Sequence, residues 1–380
     1  MKIIHVLPKL TKGGGELVTL ALANRSASQG HEVTIIVGCS VNHVGLVKNL
    51  SPLVQVLCIS GSKSSKFKMY SHLFWWQCRN FTYLLKYDLI HCHLTYGEFF
   101  GLFAIIIRRL FSSHRPAVVS TCHSAGMNMS VFARWLHGKI YKKFDGLAVV
   151  ASDDYWTLYL RRHSSLVSTI IPNGIPFEYL DGVDVKKLYD YRRSIGIPDT
   201  CEYVVGTLGR LSKDRKPWIY LPIFAKIIEE FGPQVHFIIG GDGPEYEFLN
   251  SLIAEQGMEK QIHLPGLIQD QKYLLSLCDV YVTLNIGDIT GISGLEAAYL
   301  GKPVVGFQLL SRYKSKSNDW IWSSTEYSEV SKKIASLIQN SENRRDIALQ
   351  QSAHVRSRHS VYTMGSAYDE LYLKAMKINK

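Results

Sequence analysis

The chain has 380 residues, 46% hydrophobic and 20% charged, with a formal net charge of +11; the composition excludes a mainly disordered chain, and the length asks for two domains. Its seven cysteines are odd in number and scattered, with no C-x-x-C, which argues against a disulfide framework or a zinc site and predicts a reducing, cytoplasmic compartment. The longest apolar run, Phe99 to Ile107, stops at Arg108 and Arg109, well short of the ~20 residues of a membrane-spanning helix, so it predicts a core or interface helix.

The first apolar run ends at Pro8, too short for a signal peptide, and Lys2–Leu7 reads as a buried first strand. A Gly-rich turn leads to helical apolar spacing over Glu16–Gln29, and after Gly30 a second strand follows at Glu32–Val37. Further short strands are predicted at Val54–Ile59, Asp88–His91, Ala117–Thr121 and Leu147–Val150. Between the third and fourth, Gly61–Tyr87 interleaves Lys63, Lys66 and Lys68 with Phe67, Tyr70, Phe74, Trp75 and Trp76. That mixture suits a membrane interface, and equally a core helix with a solvated polar face; no nucleic-acid module accompanies it.

The second half restarts the pattern: strands at Tyr203–Leu208, Val235–Ile239, Ile262–Leu264, Val280–Leu284 and Pro303–Gly306 alternate with helices at Ile219–Phe231, Glu245–Gln256 and Leu295–Leu300. The prediction is α/β: two Rossmann-like, doubly wound domains, at 1–171 and 172–359. Pro172, Gly174, Pro176 and Pro198 mark the joint, and a last helix over about 360–377 has no strand after it. Residues 1–171 carry 19 Lys and Arg against 7 Asp and Glu, whereas 172–380 carry 24 against 25. The whole excess lies in the first half, which predicts either an anionic partner there or a role in solubility alone.

Four segments carry candidate chemistry. Lys12-Gly13-Gly14-Gly15-Glu16 sits between the first strand and a helix, where backbone N–H groups can approach an anion. It lacks the third glycine of a dinucleotide fingerprint, and the second strand ends without an acid, so NAD binding is disfavoured. Gly209-Arg210 to Lys216 puts four cations in seven residues after a strand, a fork and point charges fit for a pyrophosphate. Gly240-Gly241-Asp242-Gly243-Pro244-Glu245 is a βα turn on which a base or ribose can pack. Asn285 to Ala297 spaces Asp288 and Glu296 eight residues apart around glycines that free N–H groups at a helix start.

The ordered set resembles glycosyltransferase family 4, retaining enzymes of the GT-B type, with two domains facing across a cleft. Ile171-Pro172-Asn173-Gly174-Ile175, Leu264-Pro265-Gly266 and Leu295-Glu296-Ala297 with Gly301-Lys302-Pro303-Val304 complete the likeness, which runs over nearly the whole chain. It implies that Arg210 and Lys216 bind the donor diphosphate, that Gly291 and Ile292 offer N–H groups to it, and that Glu296 holds the ribose. His123 would lie near donor sugar and acceptor, Gly13, Gly14 and Gly15 across the cleft, and the last helix would cross back to the first domain. One residue departs from the family pattern: Asp288 stands where the family has Glu. Its carboxylate retreats by about 1.5 Å, and a ~1 Å misplacement can cost ~100-fold in rate unless the backbone compensates or the donor differs.

The expected reaction moves a sugar from a nucleoside diphosphate to a lipid-linked or polysaccharide acceptor, in surface-polysaccharide synthesis at the inner face of a membrane. The resemblance implies metal-independent, front-face transfer, with Arg210, Lys216 and helix N-termini stabilising the leaving diphosphate and with His123 and Asp288 beside the reacting sugar. No cofactor, metal or nucleic acid is expected. His91 and His93, in Ile90-His91-Cys92-His93, lack metal-site partners in the sequence. A sugar-nucleotide epimerase and a non-catalytic nucleotide-sugar-binding subunit remain the alternatives.

Overall fold

A computed structural model describes residues 1–10, 13–38, 50–60, 66–111, 115–123, 130–150, 154–285, 290–309 and 320–378. The chain divides into two compact units, Met1–Pro176 with Arg358–Lys380, and Phe177–Ser357. The division falls after Pro176 rather than Ile171 because the intervening segment pairs with the start of the last helix. Ile175 donates its N–H to the His359 carbonyl (2.9 Å) and accepts from Val361 (3.2 Å). A side chain at Gly174 would strike the Ser360 carbonyl, so only glycine admits this approach.

In the first unit β1 (Lys2–Leu7), β2 (Glu32–Val37), β3 (Val54–Cys58), β4 (Leu89–His93), β5 (Ala117–Cys122), β6 (Gly146–Val149) and β7 (Ser168–Ile170) form one sheet in the order β3-β2-β1-β4-β5-β6-β7. Every pairing is parallel. Helices cover both faces, which is why β1, β2, β4, β5 and β6 read as near-continuous apolar runs. On one face Ile4, Val6, Ile90, Cys92, Val118 and Leu147 pack against helices Lys66–Leu84, Leu94–Phe111, Val131–Tyr141 and Asp154–Arg162. The opposite residues of β1 and β2, Leu7, Val33, Ile35 and Val37, meet helix Gly14–Ser28.

The last helix, Val361–Ile378, joins that second face. Arg25 reaches it through Asp369 (2.9 Å) and Ser366 (3.3 Å). Gly365 leaves room for the Arg25 side chain, which any Cβ there would strike. The apolar helix Leu94–Phe111 ends in a buried pair: Arg108 donates to both carboxylate oxygens of Asp145 (2.5 and 2.9 Å) and to the Pro116 carbonyl (2.7 Å). The helix Lys66–Leu84 has one covered and one exposed side. Leu73 and Gln77 are buried and Trp76 packs on Phe100, while Phe74 and Trp75 are exposed.

The second unit repeats the plan with β8 (Tyr203–Leu208), β9 (Val235–Gly240), β10 (Ile262–His263), β11 (Val280–Asn285), β12 (Val304–Gln308) and β13 (Ser323–Ser324), in the order β10-β9-β8-β11-β12-β13, all parallel. Its core joins Val205, Phe237, Ile239, Val282 and Val305 to Phe224 and Ile227 of helix Leu221–Phe231 and to Ile334 and Leu337 of helix Tyr327–Gln339.

Candidate functional site

Open α/β sheets take ligands beyond the carboxyl ends of their strands, where the strand order reverses. In the second unit that point lies between β8 and β11, and two predicted loops meet there. Arg210 follows β8; Gly291 caps helix Ile292–Tyr299, which follows β11. Ser293 Oγ donates to the Leu208 carbonyl (2.9 Å), and the Leu208 N–H donates to the Tyr281 hydroxyl (2.9 Å). The helix start that offers the Gly291–Ile292 backbone is thus tied to the strand end that carries Arg210. Arg210 and Lys216 are exposed and form no ion pair among the described residues, whereas Asp214 pairs with Arg215 at 3.9 Å.

Lys216 sits in the left-handed region (φ 43°, ψ 59°) at the head of a short 3-10 turn, Pro217–Tyr220. Its N–H bonds to the Ser212 carbonyl at 3.0 Å. Among the described residues the other non-glycine with positive φ is Leu94 (60°), directly after His93. Such positions cost about 1–3 kcal/mol and gather at working sites. The Gly240–Glu245 turn packs on the loop that carries Arg210. Gly209 donates to Gly240 O (3.0 Å), Leu211 to Asp242 O (3.0 Å) and Glu245 to Leu211 O (3.1 Å). Gly241 has φ 132°, and a side chain there would strike the Gly209 carbonyl. The turn buttresses the Arg210 loop.

Glu296 is buried, on the first helical turns after Gly291. Its Oε1 accepts from the Tyr179 hydroxyl and from Gln271 Nε2 (2.7 Å). Burial raises the Glu296 pKa, and the two donors pull it back toward the ionised form. Burial, followed by the Glu296 charge, pushes the Tyr179 phenol up. The family pattern names Glu296 but neither Tyr179 nor Gln271; only the fold brings those two to it. Asp288 lies outside the described residues, as do Lys12 and Lys63.

In the first unit the order reverses between β1 and β4. The predicted glycines follow β1: Gly13 is the N-cap of helix Gly14–Ser28 without a side-chain cap, and a Cβ there would strike the Glu16 carboxylate. A Cβ on Gly15 would stand 3.5 Å from the His123 ring, so the glycine turn and His123 are neighbours. His5, paired in register with His91, and His91 and His93 two residues apart, share one sheet face. His5 Nδ1 meets His93 Nε2 at 3.1 Å, and His93 Nδ1 meets His123 Nε2 at 3.1 Å. His91 bonds Tyr372 (2.8 Å) and Thr121 (2.7 Å). Burial holds all four neutral, with His5 lowered to about 3, His123 to about 4, and His91 and His93 well below the usual value.

His5 is the partner that the sequence reading of His91 and His93 lacked. One ring nitrogen from each of the three lies within 4.8 Å of the others, which makes them a possible nitrogen ligand set among the described residues. Hydrogen bonds occupy both nitrogens of His91 and His93 and one of His5, so the rings serve each other and the last helix. In the second unit His236 and His263 bond each other at 2.8 Å. His263 also lines a cavity of about 680 Å³ between helix Val185–Ser194 and the segment after β10, which contains none of the predicted site residues.

Two family models match the chain: Glycosyltransferase Family 4 over residues 12–179, and Glycosyl transferases group 1 over residues 190–352. The chain belongs to glycosyltransferase family 4. This family 4 chain is similar to the alpha-monoglucosyldiacylglycerol synthase of Acholeplasma laidlawii, 23% identical over 241 residues, which cover 58% of this chain and 58% of that relative. It is similar to the O-antigen biosynthesis glycosyltransferase WclY of Escherichia coli, 23% identical over 313 residues, covering 80% and 79%. The chain thus spans less than two thirds of the length of the first of these relatives. Among solved structures, Anabaena Alr3699/HepE in complex with UDP and glucose superposes with a TM-score of 0.74 at 18% identity, over 97% of this chain and 98% of that one. The fold of this family 4 chain is GT-B, two Rossmann-like domains.

Proposed function

We propose that this protein is a retaining glycosyltransferase that moves a sugar from a nucleoside-diphosphate sugar to a lipid-linked or polysaccharide acceptor in surface-polysaccharide synthesis. The observation that carries the reading is the meeting of the Arg210–Lys216 loop with the Gly291 helix start at the switch point of the second sheet. Cations and backbone N–H groups gathered there suit a diphosphate, whose charge grows as the sugar leaves. Arg210 and Lys216 grip the diphosphate, Glu296 takes the ribose hydroxyls, and His123 and Asp288 act beside the sugar. The leaving diphosphate accepts the proton of the attacking hydroxyl. A glycolipid synthase and an O-antigen enzyme among the relatives, and UDP in a fold neighbour, agree with this donor and acceptor chemistry.

The test is a thermal-shift and calorimetric screen of UDP-, GDP- and ADP-sugars. The matching nucleotide stabilises the chain by RT ln(1 + [L]/Kd), about 2.7 kcal/mol at 100-fold excess over Kd. Arg210→Ala with Lys216→Ala lowers its affinity by about 100-fold, from two charge-assisted contacts of ~1.5 kcal/mol each. Unchanged affinity in the double variant refutes the diphosphate grip. Transfer persists in EDTA; loss that magnesium restores counts against the metal-independent route. Release of an isomer or free sugar without an acceptor points to an epimerase, and binding without turnover to a non-catalytic subunit.

The membrane contact is assigned to the helical layer of the first unit. Val131, Phe132, Trp135 and Leu158 are 75%, 69%, 59% and 51% exposed, and Phe74 and Trp75 belong to the same layer. Arg134, Lys139, Lys142 and Arg162 line a groove of about 370 Å³ floored by Trp135, Tyr155 and Tyr159, and none of these cations forms an ion pair among the described residues. Aromatic rings at the boundary with cations beside them suit anionic headgroups. Lys142→Ala with Arg162→Ala weakens partition onto anionic phospholipid vesicles about 30-fold, at ~1 kcal/mol per cation; equal binding by both forms refutes the assignment.

A further inference from the structure

A carboxylate has two oxygens, and each offers two lone pairs. The two oxygens of Glu296 have unequal surroundings. Oε1 accepts from the Tyr179 hydroxyl and from Gln271 Nε2 (2.7 Å), so both of its lone pairs are taken. Among the described residues Tyr179 and Gln271 are the donors that Glu296 has, and Oε2 receives neither. Nor is Oε2 sealed off: the buried side-chain atoms that lack a partner do not include it. The acceptor that this otherwise buried side chain keeps vacant is a single, reachable atom.

The filled oxygen is held from two directions. Tyr179 stands in the 3-10 turn Phe177–Leu180, and its neighbours in sequence are fastened to the helix Ile292–Tyr299 that carries Glu296. Phe177 stacks on Tyr299 with ring centroids 4.3 Å apart, and the Tyr299 hydroxyl donates to Asp181 at 2.9 Å. Leu180 is fully buried. Gln271 opens the helix Gln271–Leu277, and its amide also reaches the Tyr179 oxygen at 3.5 Å. Burial, then the Glu296 charge, push the Tyr179 phenol up, so it stays neutral. Its one proton is spent on Oε1, and none remains for a ligand. A ribose presents two neighbouring hydroxyls, and a free carboxylate can accept one on each oxygen. Here the ribose meets a carboxylate with one oxygen already full.

We propose that Tyr179 and Gln271 are specificity-determining residues that reserve Oε1, so that Glu296 reads one hydroxyl of the donor's ribose through Oε2 and leaves the other unread. The inference rests on the glycosyltransferase reading above, in which Glu296 takes the ribose, and narrows that role from two hydroxyls to one. A nucleotide that lacks the unread hydroxyl is accepted almost as well as its parent, whereas loss of the read one is not tolerated.

The experiment is calorimetric titration of the whole chain with UDP, 2′-deoxy-UDP and 3′-deoxy-UDP, or with the GDP or ADP set if that nucleotide is the one bound. One deoxy form binds about tenfold more weakly than the parent, the loss of one hydrogen bond to a charged group, and the other binds within about twofold of it. Gln271→Ala vacates a lone pair of Oε1 while Tyr179 stays in place; the hydroxyl that the wild type ignores then counts, by about threefold. Arg210→Ala with Lys216→Ala weakens all three nucleotides alike, because those cations act at the diphosphate. Equal losses for the two deoxy forms in the wild type, or a Gln271→Ala variant that keeps the wild-type pattern, overturn the proposal and leave the ribose role of Glu296 intact. If neither deoxy form differs from the parent, Glu296 does not hold the ribose, and that part of the proposed function fails together with this inference.

Discussion

At the residue scale the most telling contact is the one between Glu296 and two side chains distant in sequence. Tyr179 and Gln271 both donate to its Oε1, and each favours the charged carboxylate against the burial that opposes it. Tyr179→Phe removes one of them. With Glu296 as the ribose acid, nucleotide binding then weakens about fivefold, for a hydrogen bond of ~1 kcal/mol. The acid limb of binding also moves to higher pH, because the Glu296 pKa rises further. Calorimetric titration across pH checks both. Sequence order and spacing single out Arg210, Lys216, Gly291 and Glu296 as candidates, because their motifs are local and punctuated by glycine. Tyr179 carries no such mark: it stands in a short 3-10 turn, Phe177–Leu180, more than 100 residues before its partner.

At the scale of elements, strands were legible where burial is continuous. Lys2–Leu7, Glu32–Val37 and Tyr203–Leu208 have the predicted limits because most of their residues are apolar and all but the ends are buried. Three classes escaped. The edge strands Ser168–Ile170 and Ser323–Ser324 are too short for any period to show. The helix Ser341–Arg358 buries Ala348, Gln351 and Val355 alone and has no apolar stripe to read. His5 looks like a chance polar residue in a strand until the order β2-β1-β4 sets β1 beside β4 and brings it level with His91. The buried pair Arg108–Asp145 makes a test at this scale. Asp145→Ala strands a buried guanidinium and lowers stability by about 3–5 kcal/mol in urea unfolding, while activity per folded molecule is retained.

At the scale of the whole molecule, the neutral histidines of the first unit govern acid stability. His5 is held at about 3 and His123 at about 4, against an ordinary value of 6.5. Below pH 6.5 the unfolded chain binds protons that the folded chain refuses, so stability is complete above that pH and is lost as pH falls toward the folded values. By pH 5 the loss is on the order of 2 kcal/mol for each of these two rings. Urea midpoints at pH 7.5 and 5 measure it, and His5→Phe reduces the difference; a midpoint that rises on acidification contradicts the burial of neutral rings.

The same sheet face has a consequence for how the protein is made. Tyr368 and Tyr372, which cover Thr121 and His91, leave the ribosome only after all of residues 177–357 have been synthesised. At ~5–20 residues per second the first sheet waits roughly 10–40 s for its last helix. Throughout that interval a half-built face carrying polar rings and bare strand surface stands exposed in the nascent chain. The second unit can complete its own core meanwhile, so the domain begun first is the one finished last, and termination before the helix Val361–Ile378 is made leaves it open to chaperones and proteases.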